Sequence, residues 1–224
     1  MENKILLKAN HAVCFLVVAV FLLVSCGKQQ LTERETTQSV VEVPTGEPFR
    51  NGDMVLRCGR GMESQVVTFG EGSVYSHIGM LYYDSVQNGW MVIHAVPQEA
   101  PEGEPEYIKY EPIEEFYTQE RATVGAWMRI ECPDSAAQRA SEYCLKKYNE
   151  RVVFDNFYLL QDTTELYCCE LVWRAYLQQG IDITSGNRHY VPIVFSSEEG
   201  CIFPNDIENG MKTEFVKPFK IKTL

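Results

Sequence analysis

The chain has 224 residues, enough for one domain of ordinary size or two very small ones. Its 45% hydrophobic, 12% aromatic and 23% charged content is that of a globular protein, which excludes a disordered or fibrous chain. With 31 acidic against 20 basic residues, the formal charge of −11 argues against nucleic acid as a partner and against charge-driven binding to anionic lipid.

The first segment is of a different kind from the rest. Lys4 and Lys8 form a basic flank, and Ala12–Val24 (AVCFLVVAVFLLV) is an unbroken apolar run. The run is shorter than the roughly 20 apolar residues of a membrane span and suits the core of a signal peptide. It ends in Leu23-Val24-Ser25-Cys26, which resembles a bacterial lipobox. That resemblance implies removal of residues 1–25, lipidation of Cys26, and a bacterial cell-envelope address with attachment to a membrane through the lipid. The alternative is an uncleaved anchor helix with an incidental cysteine. Loss of residues 1–25 removes two lysines and one glutamate, which leaves the chain more acidic still. Residues 26–48 are polar without a sustained apolar period and read as a tether, so the domain is expected over 49–224.

Four short segments rich in β-formers follow: Gly52–Cys58 (GDMVLRC), Ser76–Asp84 (SHIGMLYYD), Trp90–Val96 (WMVIHAV) and Ala122–Ile130 (ATVGAWMRI). Asn88-Gly89 marks a tight turn between the second and third. Glu99–Glu106 is acidic, contains Pro101 and Pro105, and reads as loop. A helix is predicted from Asp134 to Glu150, capped by Asp134 or Ser135, with Ala136, Ala140, Cys144 and Tyr148 on one face. A second begins near Cys168 and stops at Gly180, a natural residue just past a helix end. Gly186–Ser196 reads as loop and Glu214–Thr223 as a terminal strand. Strands first and helices late give an α+β class with a largely antiparallel sheet.

Of eight cysteines, Cys14 falls in the signal segment and Cys26 at the lipid site, leaving Cys58, Cys132, Cys144, Cys168, Cys169 and Cys201. An extracytoplasmic address permits disulfides, but the spacing assigns no pairing. No CxxC or CxxH spacing occurs, which argues against a structural zinc site, and no cofactor is expected.

The adjacent pair Cys168-Cys169 opens the second helix, in ELYCCELVWRAY. Leu171, Val172, Ala175 and Tyr176 make its buried side, which puts Cys168 in the first turn. There the unpaired N–H groups and the positive end of the helix dipole lower a thiol pKa. Cys169 points about 100° away around the axis. The plainer alternative is that both are small buried hydrophobes. Four histidines are present: His11 in the signal segment, His77, His94 and His189. His77 and His94 flank the Asn88-Gly89 turn. A loop with an even number of residues, such as Ser85–Asn88, sets Gly79 opposite His94 and puts both imidazoles diagonally on one face. A thiol at a helix start with two histidines on one sheet face supplies a nucleophile, a base and a group that orients the base. Each histidine alone is equally compatible with a satisfied core or edge residue.

SHIGM followed by VIHA resembles the base strand and third-residue strand of NlpC-type papain-like amidases and peptidases, and YCCELVWRAY resembles their nucleophile helix. Histidines ahead of the cysteine match the circularly permuted, YiiX-like branch, whose helix reads Tyr-Cys-Ser-Glu-Leu-Val. NGDMVLR and FDNFYLLQD are also similar to that branch, and the resemblance spans Phe49 to Gly180. It implies a permuted papain-like fold, an antiparallel sheet or barrel with packed helices. It implies Cys168 as nucleophile, since Cys169 stands where the family has serine, His77 as base and His94 as the third residue. The implied activity is hydrolysis, through a thioester, of amide bonds in cell-wall peptides or in N-acyl, lipid-like amides. Two departures stand out. Many permuted members carry an acid where His94 stands, and Phe154 precedes Asp155 where the family has a tyrosine that holds the oxyanion. That donor role then passes to Tyr158 or Tyr167, or is lost, as in a binding module that kept only the fold. Acyl transfer is a further alternative, since a thioester serves both reactions.

Overall fold

Six of the chain's strands form one antiparallel sheet in the computed structural model, which describes residues 39–61, 64, 68, 73–189 and 200–223. The strands are β1 (Ser39–Glu42), β2 (Met54–Cys58), β3 (His77–Asp84), β4 (Gly89–His94), β5 (Lys109–Pro112), β6 (Val124–Ile130), β7 (Thr213–Pro218) and β8 (Lys220–Thr223). The helices are α1 (Ile113–Phe116), α2 (Asp134–Asn149), α3 (Cys168–Leu177) and α4 (Pro204–Glu208). The sheet runs β5-β4-β3-β2-β6-β7, and β1 pairs with β8 in a separate ribbon. The signal segment, Cys26 and most of the tether lie outside the described residues, as does most of Gly186–Ser196. Among the described residues no helix is long and apolar enough to cross a membrane.

Side-chain alternation splits the core into two layers. Met54, Leu56, Ile78, Met80 and Ile93 point to the face covered by α2 and α3. Val55, Leu81, Val92 and Trp127 point to the other, where they meet Phe116, Tyr117 and Val41. Each such side chain, fully buried, contributes about 1.5–3 kcal/mol. Asp53 joins the start of β2 to β6 from within: its carboxylate accepts Trp127 Nε1–H at 2.9 Å and Arg129 Nη2–H at 2.7 Å. The Asn-Gly-Asp of NGDMVLR is therefore structural. Gly52, at φ +90°, lies so close to α2 that a Cβ there would sit 2.4 Å from the Ala137 carbonyl oxygen.

Several elements differ from the sequence expectation. Ser39–Glu42, read as tether, form β1 and pair with β8. The strand is four residues with one buried side chain, Val41, too short to show alternation. Helix α2 carries no side-chain cap; Pro133 occupies the cap position and Asp134 instead meets Arg50 Nη1 at 2.6 Å. The terminal strand is two strands, divided at Phe219, whose ring enters the core. The expected antiparallel sheet is there, and among the described residues β5 and β7 form its edges.

Candidate active site

The β3–β4 hairpin carries the first two site residues. Its loop is Ser85–Asn88, and Asn88 adopts φ 52°, a left-handed conformation that asparagine tolerates. The register pairs Met80 with Ile93 and Asp84 with Gly89, so Gly79 faces His94 and His77 lies diagonal to it. A Cβ at Gly79 would fall 3.2 Å from that of His94 and 2.4 Å from Val92 Cγ1, so the missing side chain leaves the imidazole its place. His77 Nε2 and His94 Nδ1 are 2.8 Å apart. Both rings are buried, and Phe116 of α1 stacks on His77 with centroids 5.6 Å apart while meeting His94 edge-on at 5.0 Å.

Cys168 comes to His77 from the first turn of α3. Tyr167, in extended conformation, precedes the helix, and Cys168 and His77 line the same cleft, close enough for each to shift the other's pKa. With Nε2 given to His94, the nitrogen left for sulfur is Nδ1. Cys169 turns elsewhere, its sulfur 3.9 Å from that of Cys168. The Cys168 pKa is pushed well below the usual thiol value by the Cys169 hydrogen bond, then by His77 and the Ile78 backbone, against the effect of burial. Burial pulls His77 down to about 4, with Cys168 opposing and Arg57 and His94 adding to the fall.

A cleft of about 280 Å³ opens over Cys168 and His77. Arg57, Arg60 and Arg121 line one part of it, and Phe154, Tyr158 and Tyr167 another. Asp155 shapes the second part: its carboxylate accepts Phe157 N–H at 2.7 Å and Leu159 N–H at 2.6 Å, and Tyr158 between them takes φ 55°. Arg174 ties this loop to α3 through Leu160 O and Glu170 Oε1. The Tyr167 hydroxyl accepts Ile202 N–H at 2.8 Å. His189 stands apart from Cys168, its Nδ1 2.9 Å from Asp206.

Sequence reasoning misses three contributors. Glu111 of β5 lies 3.1 Å from His94 Nε2, and Arg121 contacts both its oxygens at 2.9 Å. Arg57, buried beside His77 on β2, bonds Glu99 at 2.5 Å and covers Phe116. Phe116 is the third. A signal for Glu111 exists in the spacing, since His77, His94 and Glu111 follow one another at intervals of 17 residues, one per strand.

No curated protein matches the chain significantly. Among solved structures, it is similar to the crystal structure of metalloprotein yiiX from Escherichia coli O157:H7, with a TM-score of 0.59 and 18% identity over 76% of this chain and 97% of that one. At that identity the likeness establishes the fold alone. Residues 48–217 match the family model described as permuted papain-like amidase enzyme, YaeF/YiiX, C92 family. Histidine strands that precede the cysteine helix, all within the matched span, thus have their explanation in descent: the chain belongs to the permuted papain-like amidases of the YaeF/YiiX family.

Proposed function

We propose that the protein is a thiol-dependent amidase that works through a covalent intermediate on Cys168. The observation that carries this reading is that Cys168 and His77 line one cleft while His94 holds the far side of the His77 ring at 2.8 Å. His77 Nδ1 takes the thiol proton, and the sulfur attacks the amide carbonyl carbon. Collapse of the tetrahedral adduct breaks the C–N bond, and His77 returns its proton to the leaving amine. Water, deprotonated by the same ring, then releases the acid and restores the thiol. The Cys168 N–H, at the helix start, is one oxyanion donor. His94 acts through His77, as a positioning residue.

The substrate class is an amide of a cell-wall peptide or an N-acyl, lipid-like amide, and Phe154, Tyr158 and Tyr167 in the cleft lining suit an apolar group. The lipobox-like Leu23–Cys26 supports a lipid-anchored protein of the bacterial envelope that meets its substrate at a membrane. The solved relative is titled a metalloprotein, but among the described residues no three His, Cys, Asp or Glu side chains converge on a point where an ion would fit. The ring nitrogens of His94 are engaged by His77 and Glu111. Phe154, where the family has a tyrosine, favours a second reading as a binding module without turnover.

A chloromethyl ketone probe separates the two. Wild-type protein is expected to take up one equivalent on Cys168, and Cys168→Ala none at that position. Equal, slow labelling of Cys168 and the half-buried Cys58 would favour the module.

A further inference from the structure

Three adjacent strands carry His77, His94 and Glu111 as a diagonal stair, with the 17-residue stride repeated from one step to the next. We propose that Glu111, held in place by Arg121, is a positioning residue that sets the tautomers of both histidines and so keeps His77 Nδ1 bare to receive the Cys168 proton. This builds on the reading of Cys168 as the nucleophile.

The argument is a count of protons. An ionised carboxylate has none to give, so across the 3.1 Å contact His94 Nε2 is the donor and Glu111 Oε1 the acceptor. A neutral imidazole carries one N–H, so His94 Nδ1 is bare. The 2.8 Å contact to His77 then requires His77 Nε2–H to donate, and Nδ1, the ring nitrogen that His94 does not engage, is left with its lone pair. When sulfur yields its proton the ring keeps Nε2–H, and neither contact has to reverse. Without Glu111 the opposite order becomes available. His94 then donates from Nδ1, His77 accepts at Nε2, and the His77 proton sits on Nδ1, where it blocks transfer from sulfur.

Arg121 makes Glu111 a dependable acceptor. Its Nη1 lies 2.9 Å from each carboxylate oxygen and also bonds Glu115 O. The bonds from His94 and Arg121 overcome the upward push of burial and hold Glu111 at about 2, ionised throughout the neutral range. Burial holds His94 below its ordinary value, with Glu111 opposing, so the ring is neutral and the proton count applies. The other ionisable groups about the pair come from every side: Arg57 from β2, Lys109 from β5, Glu99 from the loop before β5, and Cys168 and Cys169 from α3.

The test is the rate of Cys168 alkylation by iodoacetamide from pH 4 to 9, read by peptide fragmentation mass spectrometry, in the full-length protein. Glu111→Ala is expected to slow the reaction at pH 7 by roughly tenfold and to move its midpoint upward. Glu111→Gln, whose amide oxygen still accepts His94 Nε2–H, is expected to recover most of the rate. A merely structural role would lower the melting temperature without moving the midpoint. Glu111→Ala with wild-type rate and midpoint overturns the proposal, as does Glu111→Gln no faster than Glu111→Ala. Nitrogen-15 histidine spectra of the unmutated protein decide it without any variant: both rings are expected in the Nε2–H form, and an Nδ1–H on His94 overturns it. Slow wild-type alkylation of Cys168 with both rings in the Nε2–H form would instead remove the nucleophile reading and leave the relay standing.

Discussion

Two buried thiols in one core titrate in opposite directions. Cys144, inside α2, meets no polar partner that offsets its burial, and burial alone pushes its pKa up. Cys168 is buried too, yet its sulfur lies 3.9 Å from that of Cys169 and feels His77 and the Ile78 backbone, and its pKa falls. The largest of these is the neighbouring cysteine, so the second thiol of ELYCCELV has a physical role where the family carries serine. Cys169→Ala is expected to raise the Cys168 pKa, seen as an upward move in the pH midpoint of alkylation. Cys169→Ser, which keeps a hydrogen-bond donor, should stay near wild type. A midpoint that ignores both changes would show that Cys169 is only packing.

At the scale of elements, the β3–β4 hairpin shows what a sequence can reveal. Asn88-Gly89 fixes the turn, the even loop fixes the parity, and parity alone puts His77 and His94 on one face. Helix α3 is equally legible, because Leu171, Val172, Ala175 and Tyr176 mark its buried side. Helix α1 and strand β5 are not. Each is four residues long, below any usable period, and Lys109–Glu111 are half-buried with an exposed Pro112 after them. The periodic pattern of the elements therefore carries the site as far as His94 and misses Phe116, while Glu111 shows only in its 17-residue spacing from His94. Gly79 tests the hairpin itself. In Gly79→Ala the new methyl meets Val92 and His94, so the strand pair must splay. We expect a loss of about 1–3 kcal/mol in denaturant unfolding, as for an overpacked core, together with slower Cys168 alkylation. Wild-type stability would mean that the strands approach less closely than described. Asp53→Ala is the counterpart far from the thiol: it strips Trp127 and Arg129 of their shared acceptor, and about 3 kcal/mol of stability should go with it.

Across the whole molecule, buried ionisable groups make stability depend on pH in two opposed ways. His77 and His94 fold with lowered pKa values, so they contribute stability above the unfolded histidine range that is lost as pH falls, for His77 until about 4. Glu99 and Glu111, both near 2 beside Arg57, Lys109 and Arg121, extend that loss into more acid solution. Glu170 acts the other way. Burial raises it to about 8, against Arg174 2.6 Å away, and its Oε2 has no hydrogen-bond partner among the described residues. The folded state therefore holds the Glu170 proton where the unfolded chain has released it. Its contribution is greatest below the unfolded carboxylate range, falls as pH rises towards 8, and is constant beyond. Glu170→Gln, which keeps an oxygen for Arg174 and cannot ionise, should remove this alkaline penalty. Melting curves from pH 4 to 9 should show the variant gaining on wild type as pH rises to 8. A relative gain on the order of 1 kcal/mol corresponds to ~2–4 °C for a domain of this size. A gap that stays constant across the range, or closes towards pH 8, would mean that Glu170 is ionised in the folded protein and that Arg174 alone offsets its burial.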